Sequence, residues 1–184
     1  FEIKKIIFLG DLKHSFSYNF LEKKYLKDFF EFLKKNLNLN HQNIILIRGN
    51  HDTFNYFDDI KLKNYFKYNN LLFVHGDKQF KILNNKKIKF VIMGHIHPSL
   101  TLIDKIGIKK ENFKCFLKGK IHSKIFIVVP SFLNASKGFD FLDFEKYQDS
   151  FSILQGKFLK NFEIYLIGEK EILNFGKINE LYGD

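Results

Sequence analysis

The chain has 184 residues, 45% of them hydrophobic and 17% aromatic, and this content excludes a disordered polypeptide. No apolar run approaches the roughly 20 residues that a membrane-spanning helix needs, and no signal-peptide pattern opens the sequence, so we expect no membrane partner. Cys115 is the only cysteine, so no intrachain disulfide can form, and a cytoplasmic location is expected.

The formal charge of +10 raises the hypothesis of a plain nucleic-acid-binding domain. Arg48 is the only arginine, and the other basic residues are lysines scattered along the chain. Arginine makes the two-pronged contacts to bases and phosphates, whereas lysine is a hydrated point charge. We interpret the charge as mostly solvated surface.

The hydrophobic pattern predicts strands alternating early with one helix. An apolar stripe with Lys and Glu between predicts a helix over residues 21–36. Residues 62–75 are either a hairpin turning at Asn69 and Asn70 or a short helix and a strand, and residues 134–161 give no firm pattern. Strands are predicted at Lys4–Leu9, Asn43–Ile47, Lys89–Met93, Leu100–Ile103, Cys115–Leu117 and Ile125–Val129, with a final hairpin of Ile164–Ile167 and Ile172–Phe175 around Gly168. We expect a single layered α/β domain over residues 1–184, with two sheets.

Four apolar strands end in a glycine and polar residues. The crevice outside the carboxyl ends of strands is where ligands bind in α/β sheets, and glycine lets the chain turn sharply there. If the strand before it continues in extended form, His95 and His97 project to the same side. Together the tips offer imidazole, amide and carboxylate ligands, a mixture that suits Mn, Fe or Zn. The four tips are Gly10-Asp11, Gly49-Asn50-His51-Asp52, His75-Gly76-Asp77 and Gly94-His95-Ile96-His97.

The order G-D, G-N-H-D, H-G and G-H-x-H resembles the calcineurin-like metallophosphoesterases. The segments GDLKHS, IRGNHD and GHIHPS look more specifically like archaeal and bacterial phosphoesterases related to the DNA-ligase-associated type, and VPSFLNASKG loosely resembles a later segment of theirs. The resemblance implies a four-layer αββα sandwich of two mixed β-sheets flanked by helices. It also implies a metal-dependent phosphoesterase with two divalent ions, expected to be Mn, with Fe and Zn as alternatives.

The resemblance assigns a role to each matching residue. Asp11 would bridge the two metals, and His97 would belong to the first metal site. His51 would contact the phosphoryl oxygens and serve as general acid, with Asp52 fixing its tautomer. The second metal site would be completed by Asn50, His75 and His95.

The implied reaction is phosphodiester hydrolysis by a hydroxide that bridges the two metals. Two cations about 3.5–4 Å apart offset the substrate charge and generate that hydroxide near neutral pH. Ligating histidines must be neutral, so metal affinity should fall as the pH drops through roughly 6–7. The substrate is expected to be a phosphoester, with nucleotides and nucleic acids among the candidates.

The family's first motif, D-x-H, has no counterpart in the ten residues before Asp11, which leaves Asp11 and His97 as the recognisable ligands of the first metal. Truncation or omission of an upstream strand is the favoured explanation. A separate polypeptide that supplies the motif, or a degenerate one-metal protein, are the alternatives. Asp77, Asp140 or Asp143 could substitute, although their spacing does not argue for it.

Some assignments stay open at this point. Lys13 and His14 either line the substrate side, as candidate substrate-binding residues, or cap a turn. The leading alternative function is a catalytically silent scaffold that keeps the fold and one metal to bind a protein or nucleic acid. A homodimer is a further candidate assembly, because members of this fold often pair.

Overall fold

The fold is described from a computed structural model, which covers residues 2–12, 18–53, 55, 57, 60–104, 106–133, 136, 138–147 and 152–182. The chain divides into two compact units. The first contains residues 1–66 and 73–75, and the second contains residues 67–72 and 76–184. The single-domain assignment stays a prediction. In the described segments no helix combines the length and the apolar character needed to cross a membrane.

The described part of the first unit contains a three-stranded sheet and one long helix. The strands β1 (Ile6–Phe8), β2 (Ile44–Ile47) and β3 (Leu62–Lys63) lie in that order, and both neighbouring pairs are parallel. The expectation that both sheets are mixed is therefore wrong for this one. Its connections are long crossovers, which parallel pairing requires.

The helix α1 (Phe20–Leu37) confirms the prediction over residues 21–36. The Asn19 side chain accepts a hydrogen bond from the backbone N–H of Glu22, and Asn38 ends the helix in the left-handed conformation. Both are standard caps that satisfy exposed backbone groups. The apolar core beneath the helix is formed by Phe30, Ile44, Leu46 and Ile60, with Phe8, Leu12, Phe57 and Leu62 packed against it.

The remaining strands form a nine-stranded mixed sheet, most of it in the second unit. Seven strands follow the order β10-β7-β8-β9-β6-β5-β4, and β11 pairs with both β8 and β12. Their bounds are β4 Tyr65–Tyr68, β5 Leu71–Val74, β6 Phe90–Met93, β7 Pro98–Ile103, β8 Lys110–Ile121, β9 Lys124–Val128, β10 Phe139–Asp140, β11 Glu163–Ile167 and β12 Ile172–Lys177. The neighbouring β4 and β5 confirm the hairpin alternative over Tyr65–Val74, whereas the start of its predicted first arm, Leu62–Lys63, is β3 of the first sheet. The antiparallel β11 and β12 confirm the final hairpin.

Helical structure is sparse in the second unit. The helix α2 (Gly156–Leu159) and a 3₁₀ segment at Phe141–Lys146 lie within the region 134–161 for which the sequence made no assignment. Further 3₁₀ turns of this unit lie at Lys81–Asn84 and Ile178–Tyr182, and another, at His41–Asn43, lies in the first unit. The two sheets and the α/β character agree with the predicted class, while the four-layer sandwich remains a prediction.

Candidate metal centre

The chain turns sharply after β1 and brings Asp11 against the loop that follows β2. Gly10 and Asp11 have φ values of 98° and 53°, in the left-handed region. A Cβ atom on Gly10 would lie 2.6 Å from the Nδ1 of His75 and 2.7 Å from the backbone N of Gly49. A glycine is required here because the neighbouring loops leave no room for a side chain and the backbone needs a positive φ.

Asp52 joins the two loops through a single carboxylate. Its side chain is buried, and Oδ2 accepts hydrogen bonds from the backbone N–H groups of Asp11, at 2.8 Å, and Gly49, at 2.9 Å. A buried carboxylate with two backbone donors is a strong, charge-assisted arrangement. It fixes the backbone on both sides of the candidate ligands.

His75 presents one ring nitrogen to the site and anchors the other. Its side chain is 2% exposed, and Nδ1 lies 2.7 Å from the carbonyl oxygen of Leu9. A carbonyl oxygen only accepts, so Nδ1 carries the proton and donates it, which leaves Nε2 to face the site. Such an anchoring bond is the usual way to orient a metal-ligating histidine.

Two potential ligand oxygens lie close to the Nε2 atom of His75. The Asn50 Oδ1 lies 3.0 Å from Nε2, and the Asp11 Oδ2 lies 3.3 Å from it. In a neutral imidazole this Nε2 is an acceptor, and the two oxygens are acceptors as well. A proton on Nε2, an Asn50 amide turned to present its NH₂ group, or a cation would each resolve this contact, and a divalent cation would also satisfy the Asp11 carboxylate. The donor set fits a divalent ion.

The electrostatics of Asp11 favour its ionised form. Burial by itself would raise the pKa of the Asp11 carboxyl, but the hydrogen bond and charge of His75 and the backbone N–H of His51 outweigh it. The pKa therefore lies below its ordinary value of 3.8. The His51 N–H donates to Asp11 Oδ1 at 3.0 Å, which orients the carboxylate with Oδ2 towards His75.

Sequence reasoning missed the backbone role of Asp52. The sequence predicts that this carboxylate orients the His51 imidazole, and that role stays a prediction. The structure shows the carboxylate on the backbone of Asp11 and Gly49. The sequence does show an acidic residue at the end of the G-N-H-D tip. Which backbone N–H groups this carboxylate contacts depends on the three-dimensional structure.

His95 and His97 follow β6 in the second unit, and the expectation that they continue an extended strand is wrong. Their φ values are 66° and 49°, and the backbone N–H of Ile96 donates to the carbonyl of Gly94 at 2.8 Å. Two left-handed residues around a tight turn break the two-residue alternation of side chains that an extended strand imposes. Their roles as metal ligands stay predictions.

The backbone of His97 is held by the strand that begins at Phe139. The Phe139 N–H donates to the carbonyl of His97 at 2.9 Å, and a Cβ atom on Gly138 would lie 1.9 Å from that same oxygen. No pattern in the sequence indicates this contact. Lys13 and His14, the candidate substrate-binding residues, lie outside the described part of the chain.

A family model described as calcineurin-like phosphoesterase matches residues 2–82. The matched segment contains Asp11, Asn50 and His75, so the match supports that family on the same part of the chain that forms the site. A metal-dependent phosphoesterase is the class that this family suggests, and the family implies binding of divalent metals. The narrower likeness to the DNA-ligase-associated type remains a prediction.

A search of the curated proteins found no match. A search of the solved structures found none either.

Proposed function

We propose that the protein is a metal-dependent phosphoesterase that hydrolyses phosphodiesters. The observation that carries this proposal is the convergence of the Asp11 carboxylate and the Asn50 amide oxygen on Nε2 of His75, at 3.3 and 3.0 Å. A divalent cation between these atoms would satisfy all three, and carboxylate, amide and imidazole are ligands for Mn, Fe or Zn. The family match over residues 2–82 supports the same class.

His95 is proposed as a further ligand of this ion. The likeness of the Gly94-His95-Ile96-His97 tip to the family's G-H-x-H motif supports this assignment. His95 follows β6 at the end of that strand. His97 is proposed as the ligand of a second ion that Asp11 would share.

Two divalent cations, when bound, would offset the charge of a phosphodiester and activate water for attack on phosphorus. The protein's own residues position the reaction. Asp52 and the backbone N–H of His51 hold the Asp11 carboxylate in place, and the anchored Nδ1 of His75 keeps Nε2 directed into the site. The His51 imidazole is proposed to donate a proton to the leaving alkoxide.

The finer assignments belong to the same proposal. Mn is the proposed metal, with Fe and Zn as alternatives, because the mixed nitrogen and oxygen ligand set lacks thiolates. Nucleotides or nucleic acids are the proposed substrates. A homodimer is the proposed assembly. A separate polypeptide that carries the D-x-H motif is the alternative partner. The cytoplasmic location also stands as a proposal.

The experiment is hydrolysis of bis(p-nitrophenyl) phosphate by Mn-loaded protein, alone and with the upstream D-x-H segment supplied. His51→Ala and His95→Ala should each lose most of the activity, whereas the control His122→Ala changes an exposed turn residue and should keep it. Equal rates in all four proteins would reject the assignment. Folded protein that binds metal but stays inactive with the segment supplied would favour the silent scaffold instead.

A further inference from the structure

Phe132 is the most exposed large apolar side chain in the described part of the chain, with 96% of its surface open to solvent. Leu133 beside it is 64% exposed. Aromatic rings are among the side chains that gain most from burial. Two neighbouring apolar side chains held in water therefore point to a contact with another molecule.

Three hydrogen bonds fix the turn that carries this ring. The Ser131 Oγ accepts a bond from the backbone N–H of Leu133 at 3.2 Å. The ammonium group of Lys114, on β8, donates to the backbone carbonyls of Ser131, at 2.5 Å, and of Leu133. Phe132 lies between these two residues, so its backbone is held on both sides while its ring stays in water. Such pre-organisation lowers the entropic cost of binding a ligand.

The turn belongs to the segment that connects β9 to β10, and both ends of this segment are held beside the turn that contains His97. At the start, the backbone N–H of Val129 donates to the carbonyl of Met93, the last residue of β6, at 2.8 Å. At the end, the N–H of Phe139 donates to the carbonyl of His97 at 2.9 Å. All of these residues lie in the second unit. Phe132 therefore projects from a segment that begins and ends next to a proposed metal ligand.

The turn also carries a positive charge that is partly removed from water. Partial burial lowers the pKa of Lys114 below its ordinary value of 10.5, because desolvation penalises the charged form. A poorly solvated ammonium group gains from an anion placed beside it. The net charge of +10 on the whole chain favours anionic partners in the same way.

A projecting ring beside a cation fits one kind of partner. A stable protein interface buries roughly 800 Å² on each partner, and Phe132 and Leu133 by themselves supply far less. A nucleobase offers a flat face to a single ring, and the phosphate next to it offers a negative charge to a lysine. Proteins that bind single-stranded nucleic acids combine these two contacts.

We propose that Phe132 stacks on a nucleobase of a single-stranded nucleic acid, while Lys114 holds the turn and attracts a neighbouring phosphate. The inference rests on the proposed function and deepens it, because it names the class of phosphodiester that the reaction would take. Stacking tolerates every base, and a lysine contacts phosphate without reading the sequence, so binding should show little base preference. Phe132 then determines specificity by selecting phosphodiesters that carry a base.

The first test uses the full chain in EDTA, where no hydrolysis competes with binding. The chain contains no tryptophan, so Phe132→Trp introduces a single fluorescent reporter at the turn. A ten-nucleotide oligothymidylate should quench its emission, because a base stacked on the indole ring quenches it directly. Ile108→Trp is the matched control, since Ile108 is 81% exposed beside Lys109 in the turn at the far end of β7 from His97. Its emission should change little.

An affinity measurement separates stacking from attraction between charges. Phe132→Ala should weaken binding of a labelled oligothymidylate roughly 5- to 100-fold in fluorescence anisotropy. An abasic oligonucleotide of the same length keeps the phosphates and lacks the bases, so it should bind the wild type and Phe132→Ala equally. The variant should melt at the wild-type temperature, because the side chain is almost fully exposed. Equal losses of affinity for both oligonucleotides would overturn the inference.

Other occupants of this turn would give different results. A blue shift of the Phe132→Trp emission with vesicles of phosphatidylcholine and phosphatidylserine would assign the turn to a lipid surface. A shift that depends on protein concentration would assign it to a second copy of the chain. Either result, without quenching by the oligothymidylate, would overturn the inference.

The failures of the two proposals are distinguishable. Hydrolysis of bis(p-nitrophenyl) phosphate by Mn-loaded protein, without base-dependent binding, would support the proposed function and overturn the role of Phe132. Base-dependent binding by a folded protein that holds no Mn²⁺ and hydrolyses no phosphodiester would overturn the proposed function and leave the stacking in place. The absence of both activities would overturn both.

Discussion

The Asp52 carboxylate accepts a hydrogen bond of 2.8 Å from the backbone N–H of Asp11, a residue 41 positions earlier in the chain. The same oxygen also holds the N–H of Gly49. One buried side chain therefore sets the relative position of the loops after β1 and β2, and these loops carry Asp11 and Asn50. The geometry of the candidate site therefore depends on Asp52, a residue that need not be a metal ligand.

Removal of the Asp52 side chain should damage both stability and metal binding. Asp52→Ala leaves two backbone N–H groups unsatisfied, at an expected cost of about 2–4 kcal/mol in the free energy of unfolding. Mn²⁺ affinity should fall roughly 10- to 100-fold, as is usual when a residue that supports the ligands is lost. Urea denaturation and equilibrium dialysis measure the two effects.

Asp104→Ala is the matched control for that substitution. The Asp104 side chain also accepts two backbone hydrogen bonds, from Ile108 and Lys109, but in an exposed turn between β7 and β8. Water can replace these bonds, so the cost should be smaller and Mn²⁺ affinity should be unchanged. Equal Mn²⁺ affinities for the two variants would contradict the account of Asp52.

Substitution of Gly49 should displace Asp11. A Cβ atom at position 49 would lie 2.0 Å from the Asp11 Oδ1 and 2.4 Å from its backbone N. Because both contacts are far below van der Waals distance, Gly49→Ala should lower Mn²⁺ affinity at least about 10-fold. In Gly156→Ala the added atom meets its nearest neighbour at 3.6 Å, an ordinary contact, and this control should bind Mn²⁺ normally.

Gly138 and Gly107 allow a steric effect to be separated from backbone strain. Their φ values are 75° and 76°, so alanine costs about 1–2 kcal/mol at either position from the left-handed conformation alone. The added Cβ meets the His97 carbonyl oxygen at 1.9 Å for Gly138 and no atom within 4 Å for Gly107. Gly138→Ala should therefore lower the free energy of unfolding more than Gly107→Ala in chemical denaturation. Equal losses of unfolding free energy in the two variants would contradict a steric contribution from the His97 carbonyl.

The single cysteine should be unreactive in the folded protein. Burial, with a further contribution from the charge of Asp140, raises the pKa of the Cys115 thiol from 9.0 to about 12. At pH 8 roughly one molecule in 10⁴ carries the thiolate that reacts with a disulfide reagent. Labelling with 5,5′-dithiobis(2-nitrobenzoate) should be slow in buffer and complete in denaturant; rapid labelling in buffer would contradict the burial of Cys115.

The same raised pKa has a consequence for stability at high pH. Because the folded-state pKa exceeds the ordinary value, the thiol contributes its full stability below about pH 9, and this is lost as the pH rises towards 12. Cys115→Ser should accordingly show a weaker decline in the free energy of unfolding above pH 9 than the wild type.

Local patterns predicted the regular elements well because the relevant signals are short-range. The apolar stripe of α1 and the alternating runs of the β4–β5 and β11–β12 hairpins each lie within about 18 residues. The twelve-residue length of β8 was missed, because its charged and polar first half is stabilised by pairing with β7 rather than by its own hydrophobicity. The parallel pairing of the first sheet was missed for a similar reason, since pairing depends on residues far apart in sequence.

For the site, the sequence identified residue types but not backbone geometry. Asp11, Asn50 and His75 were all identified from strand tips, and they lie together in the structure. The turn at His95 and His97 departs from the extended form because two residues adopt positive φ, which no side-chain pattern indicated. Likewise, the anchoring of His75 on a backbone carbonyl cannot be inferred from side-chain identity.

The central claim is that a divalent cation lies between Nε2 of His75 and the oxygens of Asp11 and Asn50. The most direct test is the Mn²⁺ binding isotherm of the wild-type chain beside that of His75→Ala, with folding of both confirmed by circular dichroism. The account predicts at least one tightly held ion per wild-type chain and its loss in the variant. Folded wild-type protein that holds no ion, or a variant that binds as tightly as the wild type, would contradict it.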